Sequence, residues 1–416
     1  MNILITSINN KVSLVKKFKE AATKYPDVLI FSGDINKDVS ASLFSDKHLI
    51  LPRDNDPNFI TKIKDLCIEN NIKAIVNTRD EELKIFASHR EELQKIDCLL
   101  LSSSLKTLEI CQDKLNFFKF CKKNNINTVE TFLDLSDIKY PAFSKPARGS
   151  GSEGLIKLNS KKDLLNVPQK NIIQEYIDWD EYSIDVFCDL EGKVISAVPR
   201  KRIKIINGES HIGETEKNKD IINSCVDLAE KLNLVGHSVF QCFYKDKKVK
   251  FIEVNPRYGG ASNLSLQSGP NTADFLIKLL KGFELNSQIG VFEDQLKMYR
   301  YSSDVFVSKS ESSKTYCIDI DGTICTNTNG EYSASEGEEY EKAKPIQKVI
   351  NKINLLYEKN TIILNTARGY SSGKNWRPLT EKQLEEWGVR YHKLNMLKPY
   401  ADYYIDNKAI NILEWV

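Results

Sequence analysis

Two short stretches combine residue types and spacings that could do chemistry. In Phe251-Ile252-Glu253-Val254-Asn255-Pro256-Arg257-Tyr258-Gly259-Gly260, apolar residues at 252 and 254 alternate with Glu253 and Asn255. That is the period-two pattern of a strand with one buried face and one face turned to a site. A carboxylate and an amide two residues apart then project the same way, suited to Mg2+ carrying a nucleotide triphosphate, with Arg257 just beyond for phosphate oxygens. Alone, the stretch also admits the reading of a solvent-facing strand with an ordinary Glu and Asn. In Thr315-Tyr316-Cys317-Ile318-Asp319-Ile320-Asp321-Gly322-Thr323, an apolar strand delivers two carboxylates at its end, and Gly322 lets the chain turn sharply. Asp319 and Asp321 face one site. A Ca2+ loop is excluded, because its twelve-residue pattern ending in an acid is missing.

Phosphate chemistry has a second possible support. Lys145 closes a strand and is followed by Ala147-Arg148-Gly149-Ser150-Gly151-Ser152-Glu153-Gly154, then by another strand at 155–158. Such a loop lets backbone N–H groups approach phosphate oxygens, and between two strands it reads as a phosphate-covering flap. Asn171-Ile172-Ile173-Gln174-Glu175-Tyr176-Ile177 can present backbone groups and Glu175 to an adenine edge, and Glu181 can accept ribose hydroxyls. Each is, in isolation, an ordinary strand residue. Gln241 lies on the alternating run Val239-Phe240-Gln241-Cys242-Phe243, which can pair beside the Glu253 strand.

These residues need scaffolds. The chain has 416 residues, beyond the size at which one core keeps growing, so two or three domains are expected. Residues 1–105 alternate aliphatic strands with amphipathic segments, the signature of a parallel sheet covered by helices. The first turn, 7–11, has no glycine, which argues against NAD there. Asp80-Glu81-Glu82-Leu83 reads as a capped helix start. Residues 106–290 form the second domain, 291–313 a linker and 314–416 a third domain. In the last, strands at 361–365 and 403–407 are expected around helices at 345–358 and 380–387.

Net charge is +2, with 59 basic and 57 acidic residues, which excludes nucleic-acid or membrane partners held by net charge. Nine cysteines form no CxxC pair and read as reduced core residues. Without a leader pattern or a long apolar run, a cytoplasmic protein is expected.

The ordered set Asp113-Lys114, Lys145-Pro146, the 147–154 loop, Gln174-Glu175, Glu181 and Glu253-Val254-Asn255-Pro256-Arg257 resembles the ATP-grasp superfamily, most closely its carbamoyl-phosphate-synthase-like and amino-acid ligase branch. The resemblance covers about 1–290. It implies a Rossmann-like N-terminal domain that helps bind the acceptor, then a two-lobed α+β domain gripping ATP. Lys114 and Lys145 would meet the nucleotide phosphates, with the flap residues Gly149, Ser150, Gly151 and Ser152. Gln174, Glu175, Tyr176 and Ile177 would lie at the adenine and Glu181 at the ribose. Gln241, Glu253 and Asn255 would hold Mg2+, replaceable by Mn2+, with Arg257 near the transferred phosphate. The basic run Arg200-Lys201-Arg202-Ile203-Lys204 falls where the acceptor carboxylate would sit, and reads equally as a solvated hairpin.

Asp319-x-Asp321-Gly322-Thr323, then Thr366, Lys398 and Asp406, in that order, resemble the haloacid dehalogenase superfamily, nearest its short capsule-biosynthesis and sugar-phosphate phosphatases. The implied unit is a small Rossmannoid domain without a large cap. By resemblance Asp319 attacks phosphorus, Asp321 protonates the leaving oxygen and then activates water, and Thr366 and Lys398 hold phosphoryl oxygens. The Mg2+ ligands would be Asp319, Asp406 and, through its backbone carbonyl, Asp321. Asn407 departs from the pattern, since an acid is frequent there. The overall expectation is an α/β bifunctional enzyme: an ATP-dependent carboxylate–amine ligase joined to a phosphatase, acting on small molecules in cell-surface polysaccharide or sugar-conjugate synthesis. A homodimer is compatible with it. A kinase-like ATP-grasp making a stable phosphorylated product, with a pathway or repair phosphatase, is the alternative.

Overall fold

The computed structural model describes residues 1–149, 154–307, 313–326, 338–401, 403–404, 408–411 and 415. The chain divides into two compact units, one of Asn2–Ala21 and Ile30–Ser303, the other of Asp304–Val416 with Met1 and Ala22–Leu29. The larger unit opens with β1 (Asn2–Thr6), α1 (Val12–Ala22), β2 (Leu29–Asp34), β3 (Lys47–Ile50), α2 (Phe59–Glu69), β4 (Ile72–Val76), α3 (Asp80–Ser88), α4 (Arg90–Lys95) and β5 (Leu99–Leu100). Its strands run in the order β3-β2-β1-β4-β5, with parallel pairing of β1 to β4, β2 to β3 and β4 to β5. Ile3, Leu4 and Ile5 are consecutive and all fully buried, as a parallel strand covered on both faces requires.

Next come α5 (Leu105–Cys111), α6 (Lys114–Lys123), β6 (Thr131–Phe132), β7 (Ala142–Pro146), β8 (Ile156–Leu158) and β9 (Asn171–Glu175). Asp113 starts α6 by accepting the N–H groups of Leu115 and Asn116, which fixes Lys114 at the first helical position. The four strands form a small antiparallel sheet, β6-β9-β7-β8, over Ala142, Leu158 and Ile173.

The large sheet is built from β10 (Asp180–Cys188), β11 (Val194–Ile206), β12 (Glu209–Thr215), β13 (Gly236–Lys245), β14 (Lys248–Asn255) and β15 (Lys297–Tyr299), with α7 (Lys219–Leu232) between β12 and β13, and α8 (Ser262–Gln267) and α9 (Thr272–Leu280) before β15. Strand order is β14-β13-β10-β11-β12-β15. Ile221, Ile222, Cys225, Leu228, Ala229 and Leu232 of α7 recur at helical spacing and are buried. They pack with Ile184, Val186, Val198 and Phe240 on one face of the sheet. β15 corrects the expected linker at 291–313: it pairs antiparallel with β12, Ile212 opposite Tyr299, and Phe292 lies in the core. Three residues with none fully buried leave no periodicity for sequence reading to detect.

On the opposite face, alternate β10 residues meet α8 and α9. Phe187 packs edge-on against Phe275, with centroids 5.6 Å apart. Asp185 accepts from Arg200, from Ser262 and Ser265 of α8, and from His237 at 2.8 Å. Asp185 and Arg200 are each 2 % exposed. Burial pushes the Asp185 carboxyl up, but the Arg200 charge and the His237 hydrogen bond outweigh it and hold it well below the usual carboxylate range.

The smaller unit contains β16 (Thr315–Asp319), α10 (Glu338–Glu341), α11 (Gln347–Tyr357), β17 (Thr361–Asn365), α12 (Arg377–Glu386) and β18 (Lys393–Asn395). The strands are parallel, in the order β16-β17-β18, over a core that includes Ile318, Ile350, Ile353, Ile362 and Leu384. The expected strand at 403–407 lies largely outside the described residues. The third strand among the described residues is β18, whose single apolar residue, Leu394, gives no strand pattern.

Asp185→Asn leaves Arg200 buried without its counter-charge. It should destabilise the larger unit by about 3–5 kcal/mol, read as a lowered urea midpoint with an unchanged denaturant slope.

Candidate functional site

The orientation of Glu253 depends on a break in its own strand. Val249 and Phe251 are buried in the core of the large sheet, and unbroken alternation would send Glu253 after them. Instead Cys242 pairs with Phe251 and Gln241 pairs with Glu253, which leaves Ile252 as an extra, bulged residue. Parity is reversed beyond it. Val254 takes the core position at 1 % exposure, and Glu253 and Asn255 turn outward beside Gln241. The sequence pattern placed Ile252 on the buried face, whereas it is only half-buried.

Lys114 of α6 approaches Glu253 at 3.3 Å and donates to the Gly149 carbonyl at 2.7 Å. Asn255 Nδ2 donates to Glu253 Oε1 at 3.1 Å. Burial pushes the Glu253 carboxyl up, but the Lys114 and Lys145 charges with the Asn255 hydrogen bond prevail, and it titrates below its ordinary value. Lys145 of β7 is the counterpart. Burial pushes its ammonium down to about 8, Glu253 opposes the shift, Lys114 adds to it, and Glu181 opposes it more weakly. Two cations held beside one carboxylate form a site with spare positive charge, which suits a polyanion. One carboxylate and two amides, from Glu253, Gln241 and Asn255, suit a Mg2+ ion that arrives with polyphosphate oxygens completing its shell. Among the described residues, no group of three or more His, Cys, Asp or Glu could hold a metal ion alone.

The flap is described at Gly149 and from Gly154 onward; Ser150, Gly151 and Ser152 lie outside the described residues. Two residues expected at the adenine have side-chain partners within the protein. The Glu175 carboxylate accepts from Lys250 and from the Glu130 amide at 2.9 Å, which leaves the backbone of the run rather than this side chain for a purine edge. Gln174 is buried and donates to Thr131 Oγ1 at 2.8 Å. Tyr176 does offer an aromatic surface, with Phe143 5.3 Å away and Lys157 Nζ 4.4 Å above its ring. Glu181 is ion-paired with Arg202, which also donates to Ser210 and the Gly208 carbonyl.

Arg257 donates to the Tyr258 carbonyl at 3.2 Å and forms an ion pair with Asp80. Asp80 begins α3, but no side-chain cap is formed there; its carboxylate holds Arg257 instead of the local role expected of it. Only the distance of 177 residues between them concealed this pair.

In the smaller unit, Asp319, Asp321, Thr366 and Lys398 come together. Lys398 is ion-paired with Asp319, and the Ile320 amide donates to Asp319 Oδ1 at 2.9 Å. Thr366 Oγ1 lies 3.3 Å from Asp321. Gly322 has φ 76°, the turn it was expected to allow. Asp406 lies outside the described residues. Sequence reading missed Arg368, although it stands two residues past Thr366. Its guanidinium grips Asp321 through Nε at 3.0 Å and a terminal nitrogen at 2.7 Å, and is itself held by Gln383 at 2.7 Å and by the Tyr340 ring, 4.7 Å away.

Residues 168–301 match the family model described as ATP-grasp in the biosynthetic pathway with Ter operon, and residues 3–101 match the PylC-like, N-terminal domain. The carbamoyl phosphate synthase large chain of Caldanaerobacter subterraneus subsp. tengcongensis is 28% identical over 193 residues, 40% of this chain and 18% of that one. The formate-dependent phosphoribosylglycinamide formyltransferase of Prochlorococcus marinus subsp. pastoris is 24% identical over 239 residues, 51% of this chain and 57% of that one. Among solved structures, biotin carboxylase from Campylobacter jejuni superposes with TM-score 0.59 at 16% identity, covering 71% of this chain and 74% of that chain. L-amino acid ligase from Bacillus licheniformis gives 0.52 at 20% identity, covering 67% and 74%. The match spans 18% of the carbamoyl phosphate synthase large chains of Caldanaerobacter subterraneus and Thermoanaerobacter, so the chain covers under a fifth of their length. Residues 3–301 thus hold a PylC-like match followed by an ATP-grasp match, and the fold of this segment is similar to that of biotin carboxylase. Among the described residues, no helix is long and apolar enough to cross a membrane.

Lys145 is charged below about 8 and loses its proton as pH rises through that value, so Mg-ATP binding to the free protein should weaken between pH 7 and 9. Lys145→Arg, which stays protonated, should flatten that dependence in a fluorescent-nucleotide displacement titration.

Proposed function

We propose that this chain is an ATP-dependent carboxylate–amine ligase whose smaller unit is a phosphatase. The observation that carries the ligase reading is the outward-turned Glu253 beside Lys114 and Lys145. Lys114 and Lys145 neutralise phosphate oxygens, and Arg257, held in place by Asp80, faces the phosphoryl group that is transferred. A substrate carboxylate oxygen bonds to the γ-phosphorus as the bond to the β-phosphate oxygen breaks, releasing ADP and an acyl phosphate. An amine nitrogen then bonds to the acyl carbon, phosphate leaves, and one proton is lost. Gln241, Glu253 and Asn255 would hold Mg2+ or Mn2+, which when bound supplies further charge neutralisation on the triphosphate. L-amino acid ligase, one of the structural neighbours, has a name that agrees with carboxylate–amine chemistry.

For the smaller unit the supporting observation is the convergence of Asp319, Asp321, Thr366 and Lys398 on the ends of parallel strands. Asp319 bonds to the phosphorus of a phosphomonoester while the ester oxygen leaves with a proton from Asp321. Water then attacks the aspartyl phosphate, Asp321 takes its proton, and phosphate departs. Thr366 and Lys398 meet the phosphoryl oxygens. Arg368 positions Asp321. Asp319, Asp406 and the chain at Asp321 would hold Mg2+. The family description speaks of a biosynthetic pathway, and we infer that the two activities serve one such pathway. A cell-surface polysaccharide setting rests on the phosphatase resemblance alone.

The test is ADP release from Mg-ATP with uronic and amino acids, each with and without primary amines, in Asp319→Asn protein. We expect release that needs the acid and increases with the amine, an acyl hydroxamate when hydroxylamine replaces the amine, and about 100-fold loss of kcat/KM in Glu253→Gln. A stable phosphorylated product made without amine would replace this reading with a kinase.

A further inference from the structure

Three elements meet around the turn that follows β14. Phe18 of α1 packs edge-on against Tyr258, with ring centroids 5.7 Å apart, and Lys17 Nζ of the same helix donates to Gln267 of α8 at 2.7 Å. The start of β12 arrives from another direction. A Cβ added at Gly260 would collide with the carboxylate of Glu209, so that carboxylate rests where only a glycine leaves it room. The segment at β15 locks the contact: the Arg300 amide donates to the His211 carbonyl at 2.9 Å, and the Arg300 guanidinium holds both Glu209 Oε2 and the Gly260 carbonyl.

Charge decides what such a place can take. Among the described residues Glu209 Oε1 accepts no hydrogen bond, and the Glu209 side chain is 53 % exposed, so a solute can reach its carboxylate. Arg257, three residues before Gly260, is ion-paired with Asp80, and Arg300 with Glu209. Burial holds the Lys11 ammonium below its usual range, the Arg257 charge adds to this, and Glu82, Asp34 and Glu209 oppose it. Lys11 is therefore within electrostatic reach of both Arg257 and Glu209. Four carboxylates face three cations, and adding Arg79 with its partners Asp54 and Glu81 keeps the acids in excess. A surplus of negative charge favours a cation, and phosphates brought to Arg257 by a nucleotide would enlarge that surplus.

We propose that Glu209 receives the amine substrate as its ammonium, Oε1 accepting an N–H while Arg300 keeps Oε2 in place. Glu209 is then a specificity-determining residue: it selects a cationic nitrogen over an uncharged hydroxyl and holds it beside the turn that carries Arg257. The bound ammonium gives one proton to water before its nitrogen bonds to the acyl carbon. The assignment of the cation to a substrate rests on the ligase reading; the cation site itself does not.

The full-length chain is titrated at neutral pH with ethanolamine, a primary amine protonated there, and with ethylene glycol, which has a hydroxyl in place of the ammonium. Binding is read by saturation-transfer NMR on the small molecule. We expect a saturable signal with ethanolamine only, and about tenfold weaker binding in Glu209→Gln. A similar loss is expected in Gly260→Ala, where the added methyl displaces the carboxylate but keeps the glutamate. No saturable signal, an equal signal with ethylene glycol, or wild-type affinity in either variant, its folding checked by the urea midpoint, would overturn the site and leave Glu209 an anchor for Arg300 only. The comparison of the two small molecules needs no variant. Hydroxamate trapping on the wild-type chain, run in parallel, separates the two ideas. Ethanolamine binding that depends on Glu209, without hydroxamate, upholds the site and sinks the ligase reading, whereas hydroxamate without that binding does the reverse.

Discussion

Much of the larger unit is organised around holding one carboxylate, Glu253, among cations. Burying a charge costs several kcal/mol unless partners return it, and the partners come from three separate places: Lys114 at the start of α6, Lys145 at the end of β7 and Asn255 on the same strand. Each needs its own scaffold. Asp113 sets the first turn of α6, the small sheet delivers Lys145, and the bulge at Ile252 turns Glu253 out of the core. The surplus of positive charge that results is the electrostatic basis for a polyphosphate ligand.

A second buried charge group is held differently. Asp185 is shared among Arg200, His237, Ser262 and Ser265, so that β10, β11, β13 and α8 are pinned together by one side chain. Because all its acceptor capacity is used, the orientation of His237 is dictated from behind. The same logic recurs in the smaller unit, where Arg368, itself held by Gln383 and Tyr340, fixes Asp321. In both places one side chain is oriented by another that is fully enclosed.

Much of this was legible in the chain. Lys145 before a glycine-rich loop, the Glu253-x-Asn255 pair and the Asp319-x-Asp321 pair are charged residues at the ends of apolar strands, a contrast that survives without coordinates. The parallel sheet of the first hundred residues was equally visible in the alternation of Ile3-Leu4-Ile5 and similar runs with amphipathic segments. What stayed hidden has a common cause: contacts between residues far apart along the chain carry no local pattern. Arg257 with Asp80, and Asp185 with His237, are of this kind. The bulge was concealed differently, since Ile252 is apolar and sits comfortably in an alternating pattern that the backbone does not follow. The short strands β15 and β18 contain too few apolar residues for any period to emerge.

The position of β15 at the rim of the large sheet bears on how the protein is made. Until Lys297–Tyr299 has left the ribosome, the outer backbone groups of β12 have no strand to pair with. An unpaired edge is a template for association with other chains. The sheet is therefore finished by one of its last-synthesised segments, and the interval before that closure is when a nascent chain is most open to mispairing.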